Sequence, residues 1–91
     1  MENQHRKISG YRELSQTEID LMNRIKAAGA EILGLQEELV VLLADYQATI
    51  SDQELNRFSL AEPLRWAAIG KTDIQTGIMA LVRAVAQPAG V

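Results

Sequence analysis

Ninety-one residues with no cysteine and one histidine, His5, hold one small domain and exclude a disulfide framework, a thiolate nucleophile and any multi-histidine triad or metal cluster. Hydrophobic residues make up 47% of the chain but aromatics only 4%, and the dominance of Leu, Ile, Ala and Val favours helix over strand. Nine basic against twelve acidic residues, a net charge of −3, argue against duplex nucleic acid as a partner, because that affinity comes from many phosphate contacts, whereas a small anion needs only a few local cations.

The chain opens with a polar arm, residues 1–14. Met1 to Lys7 contain no apolar h-region, so no secretory signal is expected. The longest apolar run, Leu39 to Ala44, falls far short of the roughly 20 residues a membrane helix needs. A soluble, intracellular protein is the expectation. The charge is uneven: residues 14–52 are acidic, with Arg24 and Lys26 as their only cations, and the two ends lean basic.

Ser15-Gln16-Thr17-Glu18 is a capping box, with Leu14 and Ile19 placed as a hydrophobic staple. It predicts a long helix over 15–50. One apolar row runs through Met22, Ile25, Gly29, Ile32, Leu39, Leu43, Tyr46 and Ile50 at helical spacing, and Leu21, Ala28, Leu35 and Leu42 form a second row beside it. The stripe is wider than a two-stranded seam requires. Ser51-Asp52-Gln53-Glu54 repeats the box, with Ile50 and Leu55 as staple, so a tight reversal near residues 49–52 should return the chain as an antiparallel helical hairpin. Pro63 must end or kink this second helix, which leaves a short helix at 51–61. A third helix, 62–87, then starts with Glu62 as cap and Pro63 in its first turn, and keeps its period through Leu64, Ala67, Ile74, Ile78, Leu81 and Val85. Gln87-Pro88-Ala89-Gly90 stops it. The expected architecture is a single all-α domain over 1–91. Its apolar surface exceeds what so short a chain can bury alone, and small residues at Ala27-Ala28-Gly29-Ala30 and Gly34 permit close helix approach, so a homo-oligomer is expected.

Nothing in the sequence forms a catalytic constellation. There is no Gly-rich phosphate loop after a strand, no paired-His helix motif and no nucleophile–base pair, and the adjacent Glu37 and Glu38 point to different helix azimuths. An enzyme is not expected, and no cofactor or metal is called for. Three features read as binding. In Ser9-Gly10-Tyr11-Arg12-Glu13 an aromatic ring, open backbone and a cation stand together, the pieces that hold a base and its phosphate; the alternative is that Tyr11 only anchors the arm. Lys26 lies at the margin of the apolar stripe, where it either snorkels or, in an oligomer, lines a seam and neutralises a phosphate. In the third helix Lys71 interrupts the apolar row beside Gly70, while Trp66 reads as core and Arg65 is ambiguous.

The strings Ile8-Ser9-Gly10-Tyr11-Arg12-Glu13-Leu14-Ser15 and Glu18-Ile19-Asp20-Leu21-Met22-Asn23-Arg24-Ile25-Lys26, with the tail from Leu64-Arg65-Trp66 through Gly70-Lys71-Thr72 to Gly77-Ile78-Met79 and Val85, resemble the small phage anti-CBASS proteins that sponge cyclic nucleotides. The likeness covers nearly the whole chain and is weakest over 36–58. It implies compact helical hairpins assembled as a homohexamer in the cytoplasm of an infected bacterial host. It further implies sequestration without cleavage of cyclic dinucleotides in pockets between protomers and of cyclic trinucleotides at separate sites, which starves the defence effector of its signal. On this resemblance Tyr11 is the base-stacking aromatic and Lys26 the phosphate-binding lysine, with Arg12 and Gly10 beside them. Arg65, Gly70, Lys71 and Thr72 fall in the region of the trinucleotide site. The chemistry is compatible, since a twofold interface would present two Tyr11 rings and two Lys26 charges to a ligand with two bases and two phosphates. A helical adaptor that docks its apolar face on a host protein is the alternative reading.

Overall fold

The computed structural model describes residues 13–88, and among these every regular element is a helix. We label them α1 (Gln16–Thr49), α2 (Asp52–Ala61) and α3 (Pro63–Ala86). α1 begins as its sequence dictates. The Ser15 hydroxyl accepts from the Glu18 backbone N–H at 3.2 Å, and the Glu18 carboxylate accepts from the Ser15 N–H at 2.9 Å, which completes the box. With no proline in the way, the helix runs for 34 residues, about 51 Å at 1.5 Å per residue.

Two extended residues, Ile50 and Ser51, make the reversal. The Ser51 hydroxyl caps α2 by accepting from the Glu54 N–H at 3.3 Å. Here the expected box is only half made. The Glu54 carboxylate turns away to accept from Arg57 at 3.1 Å and from the Tyr46 hydroxyl at 3.2 Å. The Arg57 guanidinium, with the Tyr46 hydroxyl adding to it, holds this carboxyl below the ordinary carboxylate range. Tyr46 also sets its ring against Phe58 at 5.8 Å between centroids, so α2 is pinned to the end of α1 by one aromatic pair and one three-residue polar cluster.

Glu62 joins α2 to α3 in a single residue. It adopts the left-handed conformation, φ 52° and ψ 50°, and its N–H returns to the Phe58 carbonyl at 3.1 Å. Its side chain makes no cap to α3, contrary to the expected role, because a left-handed backbone turns it off the helix end; it lies 4.0 Å from Arg65 Nε instead. Pro63 opens α3, where its missing N–H costs nothing. α3 ends at Gln87, again left-handed at φ 49°, whose N–H bonds the Arg83 carbonyl at 2.8 Å.

The long antiparallel partner of α1 is α3, with α2 as the bent connection between them. Gly29 faces Ile78, and the Gln36 side-chain amide donates to the Ala67 carbonyl at 3.0 Å, so positions rise along one helix as they fall along the other. This seam corrects the expected inner row. Met22, Ile25, Gly29, Leu33, Gln36, Val40 and Leu43 turn inward, while Ile32 and Leu39 are exposed. The second row, Leu21, Ala28, Leu35 and Leu42, lies entirely in the open. Only Phe58, Ala67 and Gly29 are buried among the described residues. The body measures 66 × 23 × 15 Å, with a radius of gyration of 19.9 Å where a compact chain of this length would have about 12 Å.

Candidate ligand-binding site

Two helices packed side by side leave grooves along their seam, and the charges sort themselves among these grooves. On one side, a groove of about 550 Å³ is walled by Ile32, Leu35, Leu39, Trp66, Gly70 and Ile74 and is almost wholly apolar. On the other, Leu64, Ala68 and Lys71 of α3 face Glu37, Val40 and Val41 of α1. Gln36 reaches both, because it passes through the seam to Ala67. A shallow surface on α1 alone gathers Glu37, Glu38 and Asp45 around Leu35 and Leu42.

The fourth groove, of about 370 Å³, lies where the start of α1 meets the end of α3. Its lining is Lys26, Ile78, Met79, Val82, Arg83, Ala86 and Pro88. Of the four it is the one whose described lining holds two cations. Lys26 comes from α1 and Arg83 from α3, over a floor of aliphatic carbon and the Met79 thioether. Such a surface suits an anionic ligand that also carries a flat or apolar part. Lys26 is exposed, as a lysine at the stripe margin should be. Arg83 did not emerge from the sequence as a partner of Lys26, since only the antiparallel packing of α3 brings it there; its place in the last turn of an amphipathic helix was the available signal.

A family model for the Acb2/Tad1 hairpin domain matches residues 5–86. The chain belongs to that family. It is also 55% identical to Anti-CBASS protein 2 of Pseudomonas phage JBD67, in an alignment of 107 residues that covers 99% of each chain. The resemblance read from the strings around Tyr11, Lys26 and Lys71 is thereby borne out at the level of the family.

Within this Acb2/Tad1 hairpin, Gly10, Tyr11 and Arg12 lie outside the described residues. Lys26 is therefore the one member of the expected dinucleotide set that has a described place. The four residues expected at a trinucleotide site do not converge within one chain. Successive residues of a helix turn by about 100°, so Arg65 and Thr72 share an outward face, Gly70 opens on the apolar groove beside Trp66, and Lys71 lines the opposite one. Arg65 lies over the Trp66 ring at 5.2 Å, and Thr72 donates to the Ala68 carbonyl at 3.3 Å. Trp66, expected in the core, is 59% exposed. Among the described residues no group of acidic or histidine side chains could hold a metal, and no helix is long and apolar enough to cross a membrane.

Proposed function

We propose that this protein is a non-catalytic sponge that binds and sequesters cyclic oligonucleotide second messengers, and that it thereby blocks CBASS antiphage immunity inside the infected cell. The observation that carries the reading is the 55% identity, along 99% of both chains, to a phage anti-CBASS protein. Cyclic dinucleotides occupy pockets between protomers, with Tyr11 stacking on a base, Lys26 neutralising a phosphate, and Gly10 and Arg12 beside them. Cyclic trinucleotides take a separate site. Arg65 and Thr72 share one face of α3 while Gly70 and Lys71 stand on two others, so a site using all four draws on more than one copy of the chain. The working form is a homohexamer. Support for assembly comes from large apolar side chains left in the open, Leu35, Leu42, Leu60 and Trp66 among them, on a body with few buried residues.

Titration calorimetry with cyclic di-AMP and cyclic tri-AMP tests this. The expected result is binding of both, with either ligand recovered unchanged by chromatography after the protein is denatured. Accumulation of a linear product in proportion to protein and time would overturn the non-catalytic part. Absence of binding to any cyclic oligonucleotide, together with capture of a host protein by the apolar face, would replace the sponge by an adaptor.

A further inference from the structure

Trp66 is the chain's one tryptophan, and the fold does not use it as core. It stands near the start of α3, 59% exposed, and walls the apolar groove of about 550 Å³ opposite Ile32, Leu35 and Leu39 of α1. That volume lies in the range of small-molecule sites. One turn further along α3, Gly70 opens on the same groove. A Cβ built at Gly70 would meet nothing within 4 Å, so packing within the chain does not demand a glycine there, although glycine inside a helix costs stability against alanine. The groove gains a recess beside the indole. The Arg65 guanidinium lies over the Trp66 ring, 5.2 Å from its centroid. Glu62 is 4.0 Å from Arg65 Nε, and both side chains are more than half exposed, so this ion pair is weak and readily exchanged.

A flat π surface, a recess and a cation therefore meet at one place. An aliphatic partner would match the ring but strip water from Arg65 with nothing to pair its charge. A nucleotide matches all three pieces. We infer that Trp66 is the stacking platform of the cyclic trinucleotide site: a base lies on the indole within the groove, admitted over Gly70, and Arg65 meets the adjoining phosphate. Every base has a π-face, so the platform works by shape and polarisability rather than by hydrogen bonds. The guanidinium fork can donate to two phosphate oxygens at once. This assignment rests on the sponge reading above. It adds a residue to that site and gives the open glycine a purpose.

The single tryptophan makes the test direct. Emission of Trp66 is followed in the full-length protein while cyclic tri-AMP is added, with cyclic di-AMP as the comparison ligand. The expected result is a change in emission that saturates in step with calorimetric binding of cyclic tri-AMP and is small with cyclic di-AMP. Trp66→Leu should weaken cyclic tri-AMP binding roughly fivefold or more, the lower end of what one aromatic–base stack is worth. Trp66→Phe should fall between Trp66→Leu and the wild type, and both should keep wild-type affinity for cyclic di-AMP. Light scattering accompanies each variant. Cyclic tri-AMP binding with unchanged Trp66 emission overturns the inference and leaves the sponge intact, and so does an equal emission response to both ligands, which reports a general change of the assembly. If Trp66→Leu changes the assembled mass, as a ring covered by a second copy would require, Trp66→Phe at wild-type mass decides: weaker cyclic tri-AMP binding supports the inference, and equal affinity overturns it. A wild-type protein that binds cyclic di-AMP but no cyclic trinucleotide overturns the inference together with the trinucleotide part of the reading.

Discussion

Lys26 lies ten residues into α1 from Gln16, about 15 Å along the axis, on the same groove edge as the end of α3. It is exposed, on a groove otherwise lined mostly by aliphatic side chains. Lys26→Ala and Tyr11→Ala should each weaken cyclic dinucleotide binding strongly in calorimetry, leave the assembled mass unchanged and spare cyclic trinucleotide binding. Tyr11→Phe should be mild, because the ring does the stacking. Gly29 behaves in the opposite way. A Cβ built there would overlap Ile78 Cδ1 and come within 2.9 Å of its Cγ1. Gly29→Ala forfeits this close approach, and despite the better helix propensity of alanine it should destabilise the chain by about 1–3 kcal/mol, the usual cost of overpacking. Denaturant unfolding would show it, and Ile78→Val, which removes Cδ1, should recover part of the loss.

At the scale of elements, local rules and long-range packing divide the fold between them. The caps at Ser15 and Ser51 and the restart at Pro63 were legible because each is decided within four residues. The face that α1 turns to α3 was not. Its apolar stripe is broad enough to admit either Ile32 and Leu39 or Leu33 and Val40, and the choice falls to Gly29 against Ile78 and to Gln36 against Ala67, pairs the spacing of one helix cannot reveal. The same holds for the site: Lys26 could be read from its own helix, but Arg83 required the antiparallel partner. Gln36→Leu should keep the volume and lose about 0.5–1.5 kcal/mol with the hydrogen bond, a shift visible in chemical denaturation. Glu54 supplies the pH dependence of the tip. Its carboxyl is held below the ordinary range by Arg57 and Tyr46, so the folded state takes up that proton less readily than the unfolded one. Its contribution is therefore complete at neutral pH and is lost as pH falls through the lowered value. Glu54→Gln should melt below wild type at neutral pH, and the gap should close in acid.

The described residues form a rod 15 Å in its thinnest dimension, with few buried side chains among them. Its grooves open sideways, and its large apolar side chains look outward, so ligand and neighbouring copy would meet the same surface. Light scattering at micromolar concentration should give a mass several times that of one chain, and the melting temperature should rise with protein concentration, as it does when folding and assembly are coupled.

The single-residue joint at Glu62 makes length a counted quantity in this fold. One residue inserted between Pro63 and Ala67 would turn the rest of α3 by about 100°, carrying Ile74 and Ile78 off the seam and Arg83 away from Lys26. Three or four residues, close to a full turn, would restore the facing but slide every pairing by one step along α1. Chains of this architecture are thus free to vary composition on their outer faces, while insertions and deletions are confined to the ends and to the reversal around Ile50 and Ser51, where no helical phase is kept.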